Sequence, residues 1–113
     1  MSLIRTKREW FELFRKTHKR NPEIYTMFKR FTLEAIENKH RHIGGNLIMQ
    51  RVRWETSAST SFGEFKINES LMAYYVRFFC GEHPIHKEVF RKKKIHPDLD
   101  SWIEDLLKEE GRI

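Results

Sequence analysis

Asn46, Gln50, Arg53 and Ser57 fall at i, i+4, i+7 and i+11, the spacing that lines four side chains along one side of a helix. The amides of Asn and Gln can pair with adenine through two hydrogen bonds, and Arg can do the same with guanine. Arg51 adds a second cation to the segment, while Lys39, Arg41 and His42 precede it, where cations can grip phosphates. The densest charge run is Arg91-Lys92-Lys93-Lys94, which could clamp a phosphate backbone, each contact adding to a salt-dependent affinity. Equally, such a run can be a solvated helix end whose cations complement the dipole. The candidate nucleic-acid-binding set is therefore Asn46, Gln50, Arg51 and Arg53 on the groove side, with Lys39, Arg41 and Arg91, Lys92, Lys93, Lys94 on phosphates. A second basic cluster, Arg15-Lys16 with Lys19-Arg20, admits the same two readings.

Other chemistries find less. Cys80, His83 and His86 are spaced by three, and His40 with His42 could complete a zinc shell, but Gly81 and Pro84 make the intervening backbone irregular. No metal and no cofactor is expected. There is no Gly-x-Ser-x-Gly, no phosphate loop, no dinucleotide fingerprint and no His-Glu-x-x-His. Glu55, Glu64 and Glu69 are the carboxylates that could serve a metal-dependent nuclease, and their spacing does not require it. The chain reads as a protein that is not an enzyme. Trp54, Phe62, Phe65, Tyr74 and Tyr75 could stack on bases, although helical spacing assigns Tyr75, with Phe78, to a core.

The elements that must position these residues are helical for the most part. Thr6-Lys7-Arg8-Glu9 has the form of a capping box, and Trp10, Phe11 and Phe14 form a stripe behind it, so residues 7–18 read as a first helix. Asn21-Pro22-Glu23 restarts the chain with an N-cap, a proline at the first helical position and an acid in the first turn. The second helix carries Ile24, Phe28, Phe31 and Ala35 to about Lys39. Gly44-Gly45 then punctuates the chain, and Asn46 is the expected cap of a third helix, with Leu47, Ile48 and Val52 on its packing side, ending near Ser57. Residues 58–67 turn to β-branched and aromatic residues around Gly63, and predict a short β-hairpin. Asn68 should cap a fourth helix bearing Leu71, Tyr75, Phe78 and Phe79. Pro84 opens a short one through Phe90, and His96-Pro97-Asp98 starts the last, an acidic C-terminal helix within residues 95–113.

A mainly α fold follows: one compact helical domain over residues 1–113 with a short β-hairpin. It is winged-helix-like, the second and third helices forming a helix-turn-helix and the hairpin its wing. The turn is longer than the usual three to four residues.

Composition sets the class of partner. The chain has 113 residues, a formal charge of +6 and 39% apolar residues, enough for a core. Residues 1–53 carry +8, residues 54–94 carry +2 and residues 95–113 carry −4. That asymmetry points to one polyanion-facing side and one solvated or protein-facing end. A single cysteine excludes an intrachain disulfide and fits a reducing compartment. No apolar run approaches the ~18–20 residues of a membrane span, so a cytoplasmic protein without a membrane partner is expected.

The succession Asn21-Pro22-Glu23-Ile24-Tyr25-x-x-Phe28, Arg51-Val52-Arg53-Trp54-Glu55, Glu64-Phe65-Lys66-Ile67-Asn68, Ala73-Tyr74-Tyr75-x-Arg77-Phe78-Phe79, His83-Pro84 and Phe90-Arg91 resembles a group of small, uncharacterised bacteriophage and prophage proteins. The resemblance covers about residues 10–94. It implies a phage or prophage origin and action inside the cytoplasm of a bacterial host cell, where such proteins include DNA-binding regulators and small inhibitors of host machinery. It supplies no catalytic residue and leaves the acidic tail uninterpreted. The leading expectation is a nucleic-acid-binding protein, DNA ahead of RNA, that acts by occupancy. The alternative is a protein-interaction module docking on an acidic host protein or nuclease complex, with no particular oligomeric state implied by either.

Overall fold

Thr6 opens the first helix as its sequence requires. Its hydroxyl accepts the Glu9 N–H at 3.1 Å while its own N–H donates to the Glu9 carboxylate at 3.4 Å, so two otherwise unpaired donors are satisfied reciprocally. The computed structural model describes residues 6–38, 42–58, 71–90 and 98–113. Among them the α-helices are α1 (Lys7–Arg20), α2 (Pro22–Glu37), α3 (Gly45–Ala58), α4 (Met72–Glu82) and α5 (Leu99–Glu109), with a short 3-10 turn at Pro84–His86. No strand occurs among the described residues. Ile43 and Phe90 make an isolated parallel bridge.

Pro22 separates α1 from α2. Lacking an N–H it cannot continue α1, yet its fixed φ suits the first position of α2. α1 buries Phe11, Phe14 and His18, and α2 buries Ile24, Tyr25, Phe28, Phe31 and Thr32. Thr32 can be fully buried because its hydroxyl donates to the Phe28 carbonyl at 2.8 Å. α4 is the central helix, with Tyr74, Tyr75, Val76, Phe78, Phe79 and Cys80 buried nearly all round it. It packs against α2, α3 and α5. Rings meet edge-on at its surface: Phe14 to Tyr75 at 4.8 Å and Tyr25 to Phe78 at 4.7 Å between centroids, the arrangement the ring quadrupole favours.

Gly81 sets the closeness of α4 to α5. A Cβ there would come within 2.7 Å of the Leu107 Cδ1, a side chain only 1% exposed. Alanine would gain helix propensity of roughly 1 kcal/mol but overpack the interface by about 1–3 kcal/mol. Gly81→Ala is therefore expected to destabilise the protein by ~1 kcal/mol, read as a lowered urea midpoint at unchanged slope.

Several boundaries differ from the sequence expectation. α3 begins at Gly45, one residue before its expected cap, and runs through Ala58, where the hairpin was expected to start. The rest of the expected hairpin and wing, with Asn68 as a cap, lies outside the described residues. The short helix expected from Pro84 to Phe90 is a single 3-10 turn, after which Ile43 N–H donates to the Val89 carbonyl at 2.8 Å. That bond clips the approach to α3 against the end of the α4 connection and so fixes where α3 starts.

Candidate nucleic-acid interface

α3 is held by one face. Ile48, Met49 and Val52 are buried, at 4%, 2% and 0% exposure, against α2 and α4. At about 100° per residue the direction opposite these three passes between Gln50 and Trp54. Asn46 and Gln50 are exposed as expected, Arg53 is half-buried at one edge of the outward face, and Arg51 lies at the other edge. The packing side was misread at one position. Leu47 is 68% exposed, and Met49 takes the inner place assigned to it. A thioether on three rotatable bonds can adapt to such an interior position between helices. The same rotation brings Trp54 outward to 73% exposure, next to Gln50. The outward surface is thus a polar strip of Asn46 and Gln50 beside an apolar strip of Leu47 and Trp54, with an arginine on each flank.

The two arginines differ. Arg51 is drawn onto α2, its guanidinium 4.0 Å from the Phe31 ring centroid and its Nη2 3.4 Å from Glu34 Oε1. A cation held over a ring and beside a carboxylate is partly spent there. Lys39, Arg41, Arg91, Lys92, Lys93 and Lys94 lie outside the described residues, as does any bond they make.

Charge elsewhere is rearranged by the acidic tail. Glu109 at the end of α5 meets Arg15 at 3.0 Å and Lys19 at 3.5 Å, so one carboxylate faces two of the four cations of the α1 cluster, and Lys16 and Arg20 are exposed. Asp100 likewise meets Arg77 at 3.0 Å.

A second polar constellation was missed. Glu82, the last residue of α4, has only 8% of its side chain exposed. One oxygen accepts from the Tyr25 hydroxyl at 2.8 Å and lies 3.1 Å from Lys29 Nζ, and the other accepts from Arg112 Nη1 at 2.9 Å. Burial raises this carboxyl, but the bonds from Arg112, Tyr25 and Lys29 outweigh it and hold it at about 2. The Tyr25 phenol is raised by its burial and by Glu82, which keeps it a donor. Arg112 continues the network to Glu110 Oε1 at 2.9 Å, which also lies 3.0 Å from Nε2 of buried His18. Both oxygens of Glu82 are engaged by protein groups, with His83 Nε2 also 3.1 Å from one of them, so this is a tie between segments. The open cleft of about 540 Å³ beside it, lined by Lys29, Arg30, Arg112, Glu34 and Glu37 among others, carries both signs of charge. One signal was available in sequence: an acid at a helix C-terminus opposes the dipole and needs compensating cations.

The stacking candidates also separate. Tyr74 and Tyr75 are core, at 3% and 0% exposure, and Trp54 projects. Phe62 and Phe65 lie outside the described residues. Cys80 is a buried thiol 3.8 Å from the Lys87 carbonyl, and among the described residues no three His, Cys, Asp or Glu side chains gather as a metal site. No described helix is long and apolar enough to cross a membrane.

The chain matches no protein-family model, and neither curated proteins nor solved structures gave a match. The outward face of α3 is therefore described by its own side chains: two exposed amides, an exposed indole and leucine, and a guanidinium group at each edge.

Proposed function

We propose that the protein binds nucleic acid through the outward face of α3, DNA being the expected form, and that it acts by occupancy without bond chemistry in the cytoplasm of a bacterial host. The observation that supports this most is the shared outward direction of Asn46, Gln50 and Trp54, with Arg53 at their edge. Hydrogen-bonding amides, a stacking ring and a cation on one helix face are the ingredients of base and phosphate contact. α2 and α3 follow one another and pack together, as the two helices of a helix-turn-helix would, but seven residues separate Glu37 from Gly45, more than the three to four of that motif.

Binding through about three phosphates would weaken roughly 40-fold between 50 and 200 mM salt. Arg53→Ala is expected to lower affinity roughly tenfold and flatten that salt dependence, measured by fluorescence anisotropy with a labelled oligonucleotide. Unchanged anisotropy with both DNA and RNA at low salt refutes the proposal.

A protein-docking role is the second reading, and the exposed pair Leu47 and Trp54 at i and i+7 favours it, since helix-in-groove recognition uses that spacing. An acidic host protein would be the partner. Capture that survives nuclease treatment and is lost in Leu47→Ala supports this role.

A further inference from the structure

We infer that the α3 face takes single-stranded nucleic acid in preference to duplex, with an unpaired base stacked on the Trp54 indole; the inference rests on the nucleic-acid reading above. Trp54 stands near the centre of the outward arc, one turn beyond Gln50, and is 73% exposed. In a duplex the flat faces of the bases are covered by their neighbours, and a groove offers only edges and methyl groups. An indole central to the surface can use its face only when bases are unpaired, and each such stack contributes roughly 1–3 kcal/mol.

Arg51 points the same way. Reading guanine in a groove needs both arms of a guanidinium, and this one is held over Phe31 and beside Glu34. Beside Arg53 at the edge, the central positions are Asn46 and Gln50, whose amides suit the Watson–Crick edges of splayed-out bases, and Leu47, whose apolar surface can cover a base face. Charge complementarity is present and modest. Residues 1–53 carry a net +8, and Glu109 from outside the segment answers part of it on α1, which suits a backbone tracked by few phosphate contacts.

The test compares an oligothymidylate with a duplex of equal length on the full-length chain, by anisotropy and by quenching of tryptophan emission at low salt. The single strand should bind at least tenfold more tightly and quench. Trp54→Ala should weaken it about 5- to 100-fold while duplex affinity stays within about twofold, and Trp54→Phe should retain most of the single-strand affinity. Circular dichroism of Trp54→Ala should match that of the parent, which assigns the loss to the contact with the strand. Duplex binding as tight as single-strand binding, or equal losses for both in Trp54→Ala, overturns the inference and leaves nucleic-acid binding standing. No binding to either overturns the functional proposal itself.

Discussion

Glu82→Gln should unfold about 10–15 °C lower than the parent at neutral pH, a loss of roughly 3 kcal/mol. The substituted amide is nearly isosteric, so the cause is charge. Its NH2 must face Lys29 or Arg112, a donor against a donor, and both cations lose the carboxylate that justified bringing them together. Removing one partner of a buried pair costs about 3–5 kcal/mol, and the lower end applies because Lys29 and Arg112 keep a third and a quarter of their side chains in water. The same group predicts the acid limb of the stability curve. Its folded-state carboxyl sits at about 2, below the ordinary 4.5, so the folded state is the one that releases the proton more readily. The contribution is complete above about pH 4.5 and is lost as pH falls toward about 2. Urea denaturation at pH 7 and pH 3 measures both: the parent should lose stability between them, and Glu82→Gln should show a shallower loss. Equal slopes for the two proteins would mean that some other carboxylate governs acid unfolding.

What could be read in advance was local, and what could not was remote along the chain. Thr6 with Glu9 and Pro22 at N1 act within one turn, so their sequence signals are their mechanism, and α1 and α2 start where those signals place them. The phase of α3 was harder. Leu47, Ile48, Met49 and Val52 leave two overlapping apolar stripes, and the choice between Leu47 and Met49 is made by the gap between α2 and α4, which no property of residues 45–58 encodes. The Glu82 tie joins Tyr25, Lys29 and Arg112, and the tie at Glu109 joins residues 94 apart from it. Such pairs carry no periodic signature. Only the awkward placement of an acid at the end of α4 hinted that cations would be found there.

The charge asymmetry acquires a different meaning once the helices are assembled. The acidic tail is not a separate solvated end: α5 buries Leu99, Ile103, Leu106 and Leu107, and its acids meet Arg15, Lys19 and Arg77. Exposed pairs of this kind contribute little to stability, commonly below about 1 kcal/mol. Their larger effect is on the field. They lower the positive potential over α1, so a polyanion would be drawn less toward that helix.

Phe78→Ala is the core change expected to cost most, about 3–5 kcal/mol, a large part of the 5–15 kcal/mol typical of a whole domain. Phe78 is fully buried, and its ring centroid lies 4.7 Å from Tyr25, 4.9 Å from His18 and 5.8 Å from Phe14, with the Arg112 guanidinium at 5.5 Å. Truncation empties the space between α1, α2 and the C-terminal segment, and it removes one ring on which Arg112 rests. Phe78→Leu keeps most of the volume and should cost only about 1–2 kcal/mol. Since Tyr25 and Arg112 touch both Phe78 and Glu82, the two sites should not be independent. The double variant Phe78→Ala/Glu82→Gln, measured in a stabilising osmolyte so that the fold persists, should lose less than the two single losses together by ~1 kcal/mol. Additive losses would show that the aromatic core and the Glu82 tie are separate supports. A shortfall would show one cooperative unit in which α1, α2 and the C-terminal segment are fastened at the same point.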